Sequence, residues 1–377
     1  MGGILAVFGT PEDTSLPERL EAMLGVSPHR GTATRVFAPG AALAAQAVDK
    51  EAAIARASNA IVSLHGYVWN WRDLGEASEG SSGDESTDAE RLAVVFSRLG
   101  PSSLGRLRGQ YSFIVWDVFA ARGYISRDVS GSRPLFLSST SDLTVIGTAP
   151  RQVAKGALVG SDLDVGTLVS QVLGRVASDG SSMFRGISTV DPEKLLEVRP
   201  AERPALSATI RWSPPEQDPG VVGRSEDLGR ELSEILEQAV SRSLPKGVFT
   251  LALSGGHDSG LIWGCLNHLS VGEEPAAVRA RPTTLLLPGF RCDESTRVGG
   301  LLRLYGRSAS LIDVSAAPVV GTAVAIDSLL DCPGFPNLCV WETVAREMAR
   351  SGIRILMTGD GGDAFFTGRS DVLPDVF

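Results

Sequence analysis

A chain of 377 residues has the length of two ordinary domains and needs no disulfide staples to bury a core. Hydrophobic residues make up 43% and charged residues 21%, which excludes a largely disordered or fibrous chain. Lys plus Arg number 35 against 44 Asp plus Glu, a net charge of −9. That is the wrong sign for gripping nucleic acid through its phosphates, so any bound anion must be held by a local arrangement. No stretch approaches the roughly 18 consecutive apolar residues of a membrane span. The start, Met1-Gly2-Gly3-Ile4-Leu5-Ala6, carries neither a basic region nor a myristoylation signal. A cytoplasmic protein without membrane or nucleic-acid partners is expected. The cysteines, Cys265, Cys292, Cys332 and Cys339, match neither a CxxC pair nor a zinc framework and are expected to be reduced and buried.

The first two hundred residues read as short strands between turns. Ile61-Val62-Ser63-Leu64, Tyr111 to Trp116 and Leu143-Thr144-Val145-Ile146 are rich in β-branched and aromatic residues. Ala89 to Phe96 carries helical spacing. An α+β domain follows from this mixture. Gly75 to Glu90 holds six acidic residues with Ser and Gly and reads as a solvated loop. Ser213-Pro214-Pro215-Glu216-Gln217-Asp218-Pro219-Gly220 combines helix breakers with polar residues, so the chain divides into a domain over 1–212, a linker over 213–226 and a domain over 227–377. Beyond the linker strands and helices alternate. A helix over Leu228 to Ala239 precedes a strand at Val248 to Leu253, a glycine loop and a second helix. Strands at Thr283 to Leu287 and Ser308 to Ile312 follow, then a helix at Val340 to Arg350 and a strand at Ile353 to Met357. This order predicts a parallel sheet, with ligands at the carboxyl ends of its strands. No internal repeat is present.

Ser254-Gly255-Gly256-His257-Asp258-Ser259 follows an apolar strand and opens a helix, so its amides converge on an anion near a helix N-terminus. The glycines let backbone approach closely, and the hydroxyls of Ser254 and Ser259 add donors. Asp258 repels a bare phosphate but suits one that carries Mg²⁺. No Gly-Lys-Ser/Thr follows, which removes a Walker-type loop. Thr358-Gly359-Asp360-Gly361-Gly362-Asp363 repeats the pattern after a later strand of the same sheet. Asp258 and Asp363 are the expected metal ligands, and Ser254, Gly255, Gly256, Asp258, Ser259 and Gly359 the expected phosphate and nucleotide contacts. Either loop alone is also compatible with a simple strand-to-helix turn.

Together the two loops resemble the ATP pyrophosphatase domain of asparagine synthetases and their relatives. His29-Arg30-Gly31, His65-Gly66-Tyr67-Val68-Trp69-Asn70, the run from Ser126-Arg127-Asp128 through Gly131 to Pro134-Leu135, and Met183-Phe184-Arg185-Gly186-Ile187 fall in that family's order over nearly the whole chain. The resemblance implies a glutaminase-like αββα sandwich followed by an α/β parallel-sheet synthetase domain. It also implies cleavage of ATP to AMP and pyrophosphate, with a substrate carboxylate activated as an acyl-adenylate and captured by an amine.

The departures are informative. Where asparagine synthetases carry a cysteine after the initiator Met, this chain has Gly2, and no cysteine occurs before Cys265. The family's Asn-Gly-Glu reads His65-Gly66-Tyr67. Glutaminase chemistry is therefore not expected of the first domain, which reads as a retained scaffold. Two kinds of relative that lost the cysteine, β-lactam synthetases and lasso-peptide cyclases, close a ring through an intramolecular amide. The run from Thr358 through Phe365-Phe366-Thr367-Gly368 is more similar to the lasso cyclases. A peptide precursor is the expected substrate, with a leader-binding or peptidase partner. A small amino-acid-derived substrate and a noncatalytic nucleotide- or peptide-binding scaffold are the alternatives. Asp360 is assigned to the substrate amine, against a purely helix-capping role.

His257 occupies a variable position and reads as a solvent-facing loop residue. Asp293-Glu294 matches a family acidic pair whose position ahead of a helix is explained by about 0.3–1 kcal/mol of dipole stabilisation. His29 and His65 read as packed or surface residues rather than metal ligands. In the family a catalytic lysine follows the second acidic loop, whereas Lys246 is the last lysine here, so a fragment of a longer protein is expected.

Overall fold

Seven consecutive buried residues make Gly3–Gly9 the innermost strand of the N-terminal half, a pattern possible only where both faces of a sheet are covered. The computed structural model describes residues 2–48, 51–74, 86–159, 162–172, 180–192, 194–199, 207–210, 224–245, 247–271, 274–317 and 338–362. The described chain forms two units, one through Ile210 and one from Arg224.

The first unit carries strands β1 (Gly3–Gly9), β2 (Thr32–Ala38), β3 (Ala41–Ala47), β4 (Ala52–Ala57), β5 (Ala60–Val68), β6 (Gly109–Asp117), β7 (Arg122–Arg127), β8 (Phe136–Ser139), β9 (Leu143–Gly147), β10 (Ser188–Thr189), β11 (Lys194–Val198) and β12 (Ser207–Ile210). Its helices are α1 (Leu16–Gly25), α2 (Asp88–Leu99), α3 (Pro150–Ala157) and α4 (Val165–Val172). The strands pair antiparallel in two sheets, ordered β10-β8-β9-β1-β3-β2 and β12-β11-β7-β6-β5-β4 among the described residues.

Alternation along each strand sorts the core into three layers. Ile4, Ala6 and Phe8 of one sheet meet Ile61, Ile114 and Trp116 of the other. Phe8 stacks on Trp116 with ring centroids 5.2 Å apart, a contact worth about 0.5–1.5 kcal/mol beyond its buried area. On one outer face, Leu5 and Val7 pack under Leu20, Met23 and Val153 of α1 and α3. On the other, Val62, Leu64 and Phe113 pack under Leu92, Val95 and Phe96 of α2. The unit is an αββα sandwich.

The acidic stretch expected as loop from Gly75 to Glu90 lies outside the described residues up to Glu85. Its end is helix instead. Thr87 caps α2, with the Glu90 amide on Thr87 Oγ1 at 3.3 Å and the Thr87 amide on Glu90 Oε2 at 2.7 Å. Acidic residues suit a first turn, where they face the positive end of the helix dipole, and polarity alone did not distinguish that use from solvent exposure.

The second unit begins with α5 (Ser225–Ser243), so the last residues of the expected linker are helical, while its Pro-rich part lies outside the described residues. It continues through β13 (Phe249–Ala252), α6 (His257–His268), the hairpin β14 (Ser270–Val271) and β15 (Glu274–Pro275), β16 (Ala280–Leu286), α7 (Ser295–Arg303), β17 (Ser310–Asp313), α8 (Leu338–Arg350) and β18 (Leu356–Met357). Among the described residues four strands pair parallel in the order β17-β16-β13-β18. Phe249, Leu251, Trp263, Leu266, Val298 and Leu302 form its core.

Cys265 and Cys339 are buried, as the composition led one to expect, but Cys292 is exposed in the turn before α7, and Cys332 lies outside the described residues. Among the described residues no helix is long and apolar enough to cross a membrane.

Candidate active site

Parallel pairing fixes where the two glycine loops emerge. Leu251 of β13 faces Met357 of β18, so Ser254 and Thr358 follow from the same edge of the sheet. The residues between Ala252 and His257 turn the chain from β13 into α6. Ser259, buried in the first turn of α6, ties this turn: its hydroxyl accepts the Ser254 amide at 3.0 Å, lies 2.9 Å from Ser254 Oγ and donates to the Ser254 carbonyl at 3.2 Å. Ser254 Oγ also accepts the Gly256 amide at 3.3 Å. The structure thus gathers Ser254, Gly255, Gly256, Asp258 and Ser259 as expected, but engages the two hydroxyls with the loop itself. Gly256, the residue before α6, provides no side-chain cap. The first-turn amides of α6 are the donors left to meet an anion.

The second loop packs onto the first. A Cβ on Gly359 would stand 2.9 Å from the Ser259 nitrogen and 3.2 Å from Asp258 Cβ, and one on Gly362 would overlap the Asp258 carboxylate. These two glycines are required by close approach: the turn over 358–362 lies directly against Asp258. Asp360 is exposed at the tip of that turn, with its amide donating to Thr358 Oγ1 at 3.4 Å. Asp363 lies outside the described residues, so its pairing with Asp258 is not placed.

Asp258 is half-buried, and its carboxylate has no hydrogen-bond donor among the described residues. No group of three metal-ligating side chains clusters among those residues either. A carboxylate without a donor, beside uncapped helix amides, fits a hydrated Mg²⁺ that arrives with phosphate, because this ion takes only one or two protein carboxylates.

Two further residues belong to this edge. Asp293 accepts the Leu287 amide at 3.0 Å and the Ser295 amide at 2.9 Å, closing the turn into α7. Hydrogen bonds from the Ser295 hydroxyl and amide hold its carboxyl below the usual range. Glu294 does more than stabilise a helix end: its Oε2 accepts the Gly255 amide at 3.1 Å, and Arg297 of α7 lies over the same glycine. The acidic pair was the available signal; its reach back to Gly255 is tertiary. His257 is exposed at the start of α6, in keeping with the sequence reading.

In the first unit the position that would carry a nucleophile is closed. A Cβ on buried Gly2 would come 2.9 Å from Ala52 Cβ, 3.3 Å from Ala47 Cβ and 3.2 Å from the Gln46 carbonyl oxygen. Arg30, only 7% exposed, donates to Thr148 Oγ1 at 2.8 Å, and burial lowers its pKa. His65 is buried with Glu51 Oε1 3.7 Å from its Nε2, and Arg133 reaches the same Oε1 at 2.8 Å. The His65 contact, then the Arg133 charge, outweigh burial and hold the Glu51 carboxyl down to about 2. At 3.7 Å the first is an electrostatic contact, and Arg133 is the firmer partner. Burial keeps the His65 pKa below its ordinary value; Glu51 opposes this, while Arg133 and Arg30 add to it. His29 is exposed.

Two family models divide the chain in the same way as the fold. Residues 1–207 match the family model of the glutamine amidotransferase domain, and residues 231–374 match that of asparagine synthase. The chain belongs to the asparagine synthetase-like family. It is similar to the putative glutamine-hydrolysing asparagine synthetase of Mycobacterium tuberculosis (strain ATCC 25618 / H37Rv), with 24% identity over 318 residues, covering 82% of this chain and 47% of that protein. Amidase chry2 of Gibberella zeae is 24% identical over 298 residues, covering 75% and 43% respectively. Asparagine synthetase [glutamine-hydrolyzing] 1 of Bacillus subtilis (strain 168) is 22% identical over 211 residues, covering 53% and 32%. The chain spans about half or less of the length of these relatives.

Two outcomes follow from the first unit. Below the ordinary histidine value near 6.5 the unfolded chain takes up a proton that buried His65 resists, so stability falls as pH drops through that value. Glu51 stabilises the fold above about 4.5, and that contribution is lost as pH falls from there toward about 2. Urea midpoints measured from pH 7.5 to 3 are expected to decline in these two stages, with His65→Gln removing the upper one; a flat profile contradicts the assignment. Gly2→Cys is expected to lower the melting temperature by about 4 °C or more and to release no ammonia from glutamine, as read by thermal scans and a coupled ammonia assay.

Proposed function

We propose that the protein is an ATP-dependent amide ligase that activates a substrate carboxylate as its acyl-adenylate and closes it onto an amine of the same substrate, as in macrolactam cyclisation of a peptide. The observation that carries this reading is the contrast between the two units. The second keeps two glycine loops packed around a carboxylate with no hydrogen-bond donor among the described residues, whereas the first has glycine, crowded at its Cβ position, where the family's cysteine would stand. With an activating site and no thiol to release ammonia, the nitrogen would come from the substrate itself or from a second substrate, and the first of these is the reading proposed. Similarity to proteins named asparagine synthetases and to an amidase supports amide chemistry at the coarser level.

The chain's own groups suit each requirement. The first-turn amides of α6 would hold phosphate by fixed dipoles that need no reorganisation during reaction, while the amides of Gly255 and Gly256, engaged by Glu294 and Ser254, fix the loop before them. Asp258, together with Asp363, would hold Mg²⁺, which supplies charge neutralisation for departing pyrophosphate. Conversion to an adenylate replaces hydroxide, a poor leaving group, by AMP. A peptide α-amine with a pKa near about 8 is roughly a tenth unprotonated at pH 7. Holding it beside the activated carbonyl is worth an effective molarity of up to about 10⁵–10⁸ M. Asp360, exposed in the second turn, would accept a hydrogen bond from an incoming ammonium or amine.

ATP–pyrophosphate exchange by the full-length protein, with Mg²⁺ and candidate precursor peptides, tests the reading. Exchange that depends on the peptide carboxylate is expected. Asp258→Asn is expected to cut it by about 10²-fold or more while leaving the melting temperature within a few degrees, and Gly362→Ala to cut it as far while also lowering the melting temperature. Biological output that survives Asp258→Asn identifies a noncatalytic scaffold instead.

A further inference from the structure

Gly255 is gripped from one helix on both sides of its Cα. Its amide donates to Glu294 Oε2 at 3.1 Å, across 39 positions of sequence. Its carbonyl accepts Arg297 Nη1 at 3.4 Å, and the same nitrogen faces Glu294 Oε1 at 3.5 Å. The Arg297 stem fills the space a side chain would take: a Cβ on Gly255 would stand 3.2 Å from Arg297 Cγ and 3.3 Å from its Cβ. Arg297 also borders an open groove of about 460 Å³, together with Gly255, Gly256 and His257. Two successive peptide planes are therefore oriented by a carboxylate and a guanidinium one turn apart.

We propose that Glu294 is a positioning residue for nucleotide phosphate binding, with Arg297 as its counter-charge. The proposal rests on reading this loop as the phosphate cradle. An anion nest works only when successive amides point at one place, and that direction is set by the φ and ψ of each residue. Glycine is the residue least able to hold such angles unaided. A clamp on both peptides of Gly255 supplies the order before nucleotide arrives, so less conformational freedom is lost on binding. The acceptor must be strong, and a carboxylate on an amide is. A bare carboxylate so near a phosphate site also repels the ligand, and the neighbouring guanidinium removes that repulsion. The clamp thus has a signature that a purely structural contact lacks: loss of the cation is worse while the carboxylate remains than after it has been neutralised.

Calorimetric titration of the full-length protein with ATP in excess Mg²⁺ reads this directly. Glu294→Ala is expected to weaken binding about 10-fold, the scale of one lost charge-assisted hydrogen bond, whereas Glu294→Gln, which still accepts the Gly255 amide, stays within about 3-fold. Arg297→Ala is expected to weaken binding about 10-fold or more, and adding Glu294→Gln to it to recover part of that loss, most clearly at low salt. Thermal scans accompany each variant. Unchanged affinity in Glu294→Ala overturns the proposal. So do equal losses in Glu294→Ala and Glu294→Gln that track a lowered melting temperature. Failure of the unaltered protein to bind ATP with Mg²⁺ overturns the phosphate-cradle reading itself and the clamp with it, a result distinct from variants that bind normally.

Discussion

The close packing of one backbone turn against a single carboxylate is the constraint on which the second unit depends. Because β13 pairs parallel with β16 on one side and β18 on the other, every segment leaving these strands starts from one edge. The turn before α6, the turn closed by Asp293 and the turn over 358–362 are brought together by register alone. Register does not set the final distance. That is done by the missing side chains at Gly359 and Gly362, without which the chain after β18 could not lie on Asp258. Small residues here are a steric requirement of the site, independent of any flexibility they confer.

The charges on this edge are handled unequally. Asp293 spends its carboxylate on two backbone amides, and Glu294 is engaged by Gly255 and Arg297. These two complete the architecture. Asp258 and Asp360 keep their carboxylates toward solvent or the opposing turn. Carboxylates satisfied by the fold gain little from a ligand, whereas an unsatisfied one gains a full partner. The distinction between residues that build the edge and residues left without a donor follows from counting donors.

Much of this was legible in the residues themselves. β5, β6 and β9 announced themselves through β-branched and aromatic runs, and the order of strands and helices after Arg224 implied the parallel sheet. Ser254 to Ser259 and Thr358 to Asp360 were recognisable because glycine, carboxylate and hydroxyl at fixed spacing have few other uses. What escaped was tertiary. The Glu294–Gly255 contact spans 39 residues and has no local pattern. The mutual bonding of the Ser254 and Ser259 hydroxyls depends on how tightly the turn closes, and their expected role as phosphate donors overlooked that. Thr87 and Glu90 spelled a capping box inside a stretch whose polarity masked it. Strand β18 is shorter than its apolar run because only Leu356 and Met357 meet β13.

The first unit treats charge in the opposite way, and this bears on its role. Arg30 is almost wholly buried with neutral oxygens as its partners, and His65 keeps both ring nitrogens without a hydrogen-bond partner among the described residues. Burying such groups costs several kcal/mol unless their surroundings compensate, and hydrocarbon in the same places is often at least as stable. Alanines meanwhile crowd Gly2 from two strands. Packing has thus closed the site of the nucleophile while polar groups remain buried near the same end of the sandwich. In the second unit Asp258 and Asp360 stay accessible, while Asp293 and Glu294, whose carboxylates are engaged, hold the frame. Accessibility of charge, more than its presence, therefore separates the two units.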